Sequence, residues 1–282
     1  MHNRIEGILA DNTATTKPRL IASASGKGGA GKSVITFNLA WVLSKRSRVL
    51  LIDGDFQMGN LHILANSGAT RGWQAYLAGH IPFSEAIVPV RDGLDLLPSI
   101  GEVSQEHFPS LKSLAKSLAD LRSIASGYDL ILFDTASGIL PHTNLILNTV
   151  DEIVLITTPE LTSISDCYAL YKILMTNNKS LSISLLINRE DRRDEVEYLY
   201  EKFTAMTGQF LGRSPAFGGS LGTDSALVES VAGQSAVAEY APESRIAAQL
   251  ALLAETFFSP TRTVGNHQQT INFTPVGADI KE

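Results

Sequence analysis

The stretch SASGKGGAGKSV, residues 23–34, decides the fold that this sequence predicts. Its core, GKGGAGKS at 26–33, fits the pattern G-x-x-x-x-G-K-[ST], in which glycines let backbone N–H groups turn toward an anion. The apolar run RLIASAS (19–25) precedes it, and the amphipathic run GKSVITFNLAWVLSK (31–45) follows it. A strand, this loop and a helix in that order predict a phosphate site, because the helix N-terminus adds partial positive charge.

Predicted strands and helices alternate along the rest of the chain in the same way. Strand candidates are nearly continuous in leucine and β-branched residues, which favours strands buried on both faces of a parallel sheet; they lie at 19–25, 48–53, 94–99, 128–135, 152–159 and 181–188. Helices long enough for crossovers are predicted at 31–45, 110–125, 163–177, 194–208 and 243–258. The predicted fold is α/β, a doubly wound, mostly parallel sheet with helices on both faces.

One domain is predicted over residues 19–258, without an internal linker or repeat. Residues 1–18 and 259–282 are polar and lack sustained periodicity, so we expect flexible tails. No window matches the roughly 18–20 apolar residues of a membrane span, and the N-terminal region lacks a signal peptide's apolar stretch. We therefore expect a cytoplasmic protein.

Composition narrows the class of protein. The 282 residues carry a formal net charge of −6, which does not favour a nucleic-acid partner. The single cysteine, Cys167, excludes an intrachain disulfide and a CxxC metal site within this sequence. It also excludes an electron donor of the nitrogenase-reductase type, which needs two cluster cysteines in each subunit.

The loop carries the predicted chemistry. Lys32 is placed to reach the β- and γ-phosphates of ATP or ADP, and the Ser33 hydroxyl to ligate Mg²⁺. The phosphates are predicted to lie in a cradle formed by Gly28, Gly29, Ala30, Gly31, Lys32, Ser33 and Val34. This mechanism leaves the other lysine, Lys27, without a role.

The run KGGAGKS (27–33) resembles the modified phosphate loop of the MinD/ParA group of P-loop ATPases, K-G-G-x-G-K-[ST]. In that group the extra lysine reaches across a dimer interface to the ATP of the partner subunit. The resemblance therefore implies a homodimer in the ATP-bound state. It also implies that Lys27 neutralises phosphate charge in trans, as an arginine finger does.

Three more segments extend the resemblance. LLIDGDFQMGNLHIL (50–64) is similar to the D-x-D-x-x-x-x-N-L segment of the group, which implies that Asp55 orients the attacking water. LILFDTASG (130–138) contains Asp134, the implied Mg²⁺ ligand, directly or through water. Asn188 lies where relatives contact adenine. Asp55 and Asn188 both follow strands, so each also fits an ordinary turn.

Within the group the sequence resembles the FlhG/FleN branch, which sets flagellar number and placement; GLDLLPS (93–99) and TTPELTSISDCYALYKIL (157–174) carry this resemblance. It implies a slow ATP-dependent switch that acts on an unidentified protein partner. Val34 departs from the group, where Thr or Asn is usual, so a side-chain contact near the α-phosphate is expected to be lost. The segment 243–258 has Arg245 as its cation and no basic stripe, which predicts a core helix and not membrane binding.

Other classes of protein remain open at this stage. A ParA-type partition ATPase needs a basic face for DNA, whereas NREDRRDE (188–195) interleaves arginines with acids and predicts a solvated loop. A metabolic ATP-dependent enzyme, such as one like dethiobiotin synthetase, uses the same fold, and fold alone does not separate the two. An adaptor that binds ATP without turnover is disfavoured by the presence of both Asp55 and Asp134.

Overall fold

The computed structural model describes residues 17–100 and 108–258, which build one eight-stranded sheet. The strands are β1 (Arg19–Ala24), β2 (Val49–Gly54), β3 (Val88–Arg91), β4 (Leu94–Leu97), β5 (Leu130–Thr135), β6 (Glu152–Thr157), β7 (Ser182–Glu190) and β8 (Ala216–Gly222). Their order across the sheet is β3-β4-β2-β5-β1-β6-β7-β8. Only the β3–β4 pair is antiparallel among the pairs of this described sheet. The predicted mostly parallel, doubly wound sheet is confirmed. The expected tails, 1–18 and 259–282, lie outside the described residues except for residues 17 and 18.

The helices connect the strands. They are α1 (Lys32–Leu43), α2 (Leu61–Leu64), α3 (Trp73–Leu77), α4 (Phe83–Ala86), α5 (Leu111–Ile124), α6 (Pro141–Leu147), α7 (Leu161–Asn177), α8 (Arg193–Leu211), α9 (Ser225–Ala232), α10 (Val237–Tyr240) and α11 (Arg245–Phe258). All five predicted helices are present, with bounds that shift by a few residues. Within the described ranges, none of these helices has the length and apolar character needed to cross a bilayer.

Apolar side chains form a separate cluster on each face of the sheet. Successive residues of a strand point to opposite faces, so Leu50 joins one cluster and Leu51 the other. Helices α5, α6 and α7 cover the first face, and α1 and α11 cover the second. The burial of β1, β2 and β5 on both sides confirms the interpretation drawn from their continuous apolar runs.

The C-terminal helix α11 belongs to the core. Ile246, Leu250 and Leu253 are buried in the same cluster as α1, so the prediction of a core helix is confirmed. The predicted solvated loop at 188–195 is wrong as a loop, although residue 189 and residues 191–194 are exposed to solvent as expected. Strand β7 continues to Glu190, where the buried carboxylate pairs with Arg245 at 3.3 Å, and α8 begins at Arg193.

Three neighbouring strands end side by side. In register, Asp134 of β5 lies beside Ser23 of β1 on one side and beside Asp53 of β2 on the other. Helix α1 begins just beyond β1 at the same edge of the sheet. In open α/β sheets, ligands bind outside the carboxyl ends of the strands, so this edge is the expected site.

Candidate nucleotide-binding site

The loop between β1 and α1 is shaped to hold an anion. Gly31 is the N-cap of α1 with φ +86° and ψ 11°, a left-handed conformation that glycine adopts without steric penalty. In this described part of the chain, no side chain caps α1 and no acidic residue lies in its first turn. The N–H groups of that turn therefore face the loop without a side-chain acceptor, as a phosphate site requires.

The loop is tightly packed on one side and open on the other. A Cβ added at Gly26 would lie 2.3 Å from the backbone carbonyl carbon of Asp166 in α7, and one added at Gly31 would lie 2.4 Å from Nδ2 of Asn188. At Gly28 and Gly29 an added Cβ would meet nothing within 4 Å. The open side leaves room for phosphate groups against the backbone of the loop.

Lys32 and Asp134 form a buried ion pair. Lys32 Nζ lies 2.5 Å from Asp134 Oδ1, and the two side chains are only 7% and 2% exposed. The structure therefore brings together two predicted site residues that are 102 positions apart in the sequence. Ser33, the next residue of α1, is half-buried beside Lys32.

Lys27 contacts a different set of groups. Its Nζ donates hydrogen bonds to Glu160 Oε2 at 3.0 Å and to Thr162 Oγ1 at 3.1 Å, both at the start of α7. The Lys27 and Glu160 side chains are 42% and 59% exposed. The two lysines of the loop therefore pair with separate carboxylates, one buried and one on the surface.

Asp55 lies in the loop that follows β2. Its Oδ1 accepts hydrogen bonds from the N–H groups of Gln57 at 3.1 Å and Met58 at 3.0 Å. The turn expected for an aspartate after a strand is therefore present. The same side chain is half-buried at the site edge of the sheet.

Asp53 is a site residue to which sequence reasoning gave no role. It is fully buried, and its carboxylate oxygens accept hydrogen bonds from the backbone N–H groups of Asp55 at 3.2 Å and Leu61 at 3.1 Å. Burial raises the pKa of Asp53 to about 8, and the neighbouring charge of Asp134 adds to the effect. The D-x-D spacing was the signal that could have found it.

Asn188 joins the end of β7 to the phosphate loop. Its Nδ2 donates to the carbonyl of Ala30 at 2.8 Å, and the side chain is buried. Val34 is half-buried, and its carbonyl accepts a hydrogen bond from Asn38 Nδ2 at 2.8 Å. Of the predicted site residues, Asp134 and Asn188 thus contact the phosphate loop, whereas Lys27 contacts the start of α7 and Asp55 contacts its own turn.

The oxygen donors at this edge fit Mg²⁺. The candidate ligands are the Ser33 hydroxyl and the Asp134 carboxylate, and hard oxygen donors are what Mg²⁺ prefers. Over the described residues there is no cluster of three or more His, Cys, Asp or Glu side chains that could hold a metal. Phosphate oxygens and water would have to supply the other ligands, which is how Mg²⁺ is usually held beside nucleotides.

Solved structures with this architecture include cell-division proteins. The septum site-determining protein MinD of Pyrococcus horikoshii, complexed with Mg-ADP, superposes with a TM-score of 0.73 at 25% identity, over 86% of this chain and 96% of that chain. The cell division ATPase MinD of Pyrococcus furiosus gives a TM-score of 0.72 at 27% identity, over 85% and 98%.

Curated relatives point to the same group. The antiactivator FleN of Pseudomonas aeruginosa is 28% identical over 231 residues, which are 80% of this chain and 81% of FleN. The flagellum site-determining protein YlxH of Helicobacter pylori is 34% identical over 194 residues, which are 68% of this chain and 64% of YlxH.

The fold and the loop together define a P-loop ATPase of the MinD/ParA group, near its FlhG branch. Within it, the chain belongs to the family described as cellulose biosynthesis protein BcsQ, whose model matches residues 20–257. The sequence-based assignment to this group is confirmed.

Proposed function

We propose that this protein is a Mg²⁺·ATP-dependent dimerising switch that hydrolyses ATP slowly. Its output is a surface that binds a protein partner, and this surface exists while two subunits are held together by ATP. The buried Lys32–Asp134 pair, with the uncapped N-terminus of α1 beside it, supports the nucleotide site.

Nucleotide binding would rearrange that pair. The Lys32 ammonium leaves Asp134 for the β- and γ-phosphates, while the backbone N–H groups from Gly28 to Val34 surround them. Ser33 and Asp134 are then the residues that hold Mg²⁺, directly or through water. When bound, the ion neutralises charge on the β- and γ-phosphate oxygens.

Asp55 is proposed to hold the attacking water in line with the γ-phosphorus. Its turn at the loop start keeps the carboxylate at the same edge as Asp134. Positioning of this kind is most of what a protein contributes to phosphoryl transfer. Asn188 is proposed to recognise the base, since its Nδ2 is already committed to Ala30 and its Oδ1 can accept from an amino group.

The observation that supports dimerisation is that two large apolar side chains beside the contacts of Lys27 and Asp55 are exposed to solvent. Leu161 and Met58 are the most exposed large apolar side chains of the described residues, at 83% and 79%. Leu161 directly follows Glu160, the partner of Lys27, and the N–H of Met58 binds Asp55. We propose that these two exposed apolar residues, next to the contacts of Lys27 and Asp55, form part of the interface with a second subunit.

We propose a cellular role in setting the number or placement of flagella, in the cytoplasm and through an unidentified protein partner. The similarity to FleN and YlxH supports this role. The direct test is to delete the gene in the source organism and to count and locate flagella by electron microscopy. Altered number or position supports the proposal; normal flagella with unstable plasmids would instead indicate partition.

The biochemical test is the dependence of ATP hydrolysis on protein concentration. If the catalytic unit is a dimer, turnover per subunit rises with protein concentration and then reaches a plateau. Removing Mg²⁺ with a chelator abolishes ATP hydrolysis. Constant turnover per subunit over a hundredfold dilution, in a protein that stays monomeric with ATP, would contradict the switch.

A further inference from the structure

Phe56 anchors the middle of the loop that carries Asp55. The loop, residues 55–60, joins β2 to α2, and Phe56 is its one buried side chain, at 7% exposed. Asp53 fixes the backbone at the two ends of the loop, since its carboxylate accepts hydrogen bonds from the N–H groups of Asp55 and Leu61. The two residues after Phe56 are exposed. The position of the loop on the core therefore depends on what surrounds the Phe56 ring.

Three aromatic side chains of the described chain contact the Phe56 ring. The ring centroids of Phe56 and Trp73 are 5.0 Å apart, and those of Phe56 and Phe108 are 6.2 Å apart. The third neighbour is His142, at 5.7 Å and an interplanar angle of 67°. Contacts of this geometry stabilise aromatic pairs beyond the burial of their surface. They give the Phe56 ring a defined position.

A hydrogen bond fixes the ring of His142. Its Nε2 lies 2.7 Å from the carbonyl oxygen of Pro109, and Nε2 is the donor because a carbonyl oxygen only accepts. The same ring meets Phe108 edge-on, at 4.6 Å and an interplanar angle of 90°. His142 is the second residue of α6, the helix that follows β5 and Asp134. Its ring therefore joins the loop of Asp55 to the chain segment that begins at Asp134.

We propose that His142 is a positioning residue for ATP hydrolysis, which acts through the Phe56 ring to fix the Asp55 carboxylate relative to Asp134. The inference rests on the proposed role of Asp55 in holding the attacking water. A group that places a reacting atom must be held within about 0.5 Å by neighbours that are themselves fixed by packing and hydrogen bonds. His142 is such a neighbour, and its described contacts are with Phe56, Phe108 and Pro109. It should therefore affect the rate of hydrolysis and not the affinity for ATP.

The test compares single-turnover hydrolysis and ATP affinity in His142→Ala and in a matched control, Tyr200→Ala. Tyr200 makes equivalent contacts near β8, at the far end of the sheet from β2: its ring lies 5.0 Å from that of Phe217, and its hydroxyl donates to the Pro215 carbonyl at 3.1 Å. His142→Ala should lower the rate about tenfold, since a misplacement of about 1 Å can cost a hundredfold. Its ATP affinity should match that of the wild type. Tyr200→Ala should hydrolyse ATP at the wild-type rate, even if its melting temperature falls as far.

A double-mutant cycle shows whether the loss of rate passes through Asp55. In Asp55→Asn the carboxylate that is positioned is already gone, so the addition of His142→Ala should lower the rate little further. Phe56→Leu keeps an apolar side chain in the same pocket and breaks the ring contact with His142. It should lower the rate in the same way, and it takes the place of His142→Ala in the cycle if that variant does not fold.

Each other outcome has a distinct meaning. An unchanged rate in His142→Ala, or an equal loss in Tyr200→Ala, would overturn the inference. Weaker ATP binding in His142→Ala would do the same, because it would assign His142 to the binding of the nucleotide. Full additivity with Asp55→Asn would show that His142 acts apart from Asp55. Normal hydrolysis in Asp55→Asn alone would instead contradict the proposed role of Asp55, and this inference with it.

Discussion

Lys27 Nζ lies 3.0 Å from Glu160 Oε2 within the same chain, although the loop that carries Lys27 is the predicted phosphate loop. An exposed ion pair of this kind contributes at most about 1 kcal/mol. Lys27 therefore has a position on its own subunit that it can leave at little cost. Its transfer to the nucleotide of a second subunit needs no change in the core.

The first prediction follows from that contact. Glu160→Gln removes the carboxylate that holds Lys27 on its own subunit, so the ATP-bound dimer should form at an equal or lower protein concentration, with a shift of less than about tenfold. ATP affinity of the monomer should not change. Sedimentation velocity with Mg²⁺ and a non-hydrolysable ATP analogue measures the shift. A dimer that forms only at much higher concentration would show that Glu160 serves the interface itself.

The second prediction concerns the buried Lys32–Asp134 pair. In the nucleotide-free protein, Lys32→Met or Asp134→Asn leaves one buried charge without its partner. Each should lower the free energy of unfolding by about 3 kcal/mol, because the unpaired charge remains buried. The double variant should lose less than the sum.

Urea unfolding of the four proteins gives the coupling energy. The exposed Arg192–Asp194 pair is the matched control, and its coupling energy should be much smaller than that of the buried pair. Additive effects at Lys32 and Asp134 would contradict the buried pair. Lys32→Met should also abolish ATP binding, since it removes the cation that faces the phosphates.

The third prediction separates two roles of Asp55. Asp55→Asn keeps an oxygen that can accept the N–H groups of Gln57 and Met58, so the turn and ATP binding should be preserved. Turnover should fall by at least about a hundredfold, because the group that holds the water loses its charge. Single-turnover hydrolysis measures it, with Asp92→Asn at the β3–β4 turn as control. Normal turnover in Asp55→Asn would rule out the proposed role.

The fourth prediction uses the titration of Asp53. Its pKa rises from 3.8 to about 8 on folding, because the buried carboxyl is stabilised in its protonated form. The contribution of the raised Asp53 pKa to the free energy of unfolding is fully present below about pH 4 and is lost as the pH rises through 8. In the nucleotide-free protein, stability should fall by up to about 1.4 kcal/mol per pH unit in that window.

Asp53→Asn cannot titrate and should lack this part of the pH dependence. Unfolding free energies at pH 6 and pH 8 in the absence of nucleotide and Mg²⁺ provide the comparison. The wild type should lose stability relative to Asp53→Asn as the pH rises. Parallel pH profiles for the two proteins would show that Asp53 ionises without a folding-linked shift.

The long elements were predictable because continuous apolar runs and amphipathic periods leave a strong local signal. Strands β3 and β8 were missed for local reasons: β3 is four residues long and contains Pro89, and β8 contains two adjacent glycines. The short helices α2, α3, α4 and α10 have four or five residues each, too few to show a period.

In the site, too, the local features could be predicted from the sequence and the contacts between distant residues could not. The loop and its two lysines could be found from spacing, because one motif carries them within a few residues. The contact between Lys27 and Glu160 joins positions 133 apart, and no local pattern indicates it. The contact between Phe56 and His142 likewise joins segments that are far apart in the sequence.

The central claim is that Lys27 acts on the nucleotide of the opposite subunit. Two apposed nucleotides bring phosphate charges together, and like charges at an interface cost several kcal/mol unless cations offset them. Lys27→Ala should therefore bind ATP as the wild type does and yet fail to dimerise. Lys45→Ala, at an exposed lysine after α1, is the matched control and should dimerise normally.

The measurement is molar mass by light scattering, with Mg²⁺ and a non-hydrolysable ATP analogue. For the wild type and Lys45→Ala, the account predicts twice the chain mass of 30.4 kDa, and for Lys27→Ala it predicts the mass of a single chain. A wild-type protein that stays monomeric, or a Lys27→Ala protein that dimerises as well as the wild type, would contradict it.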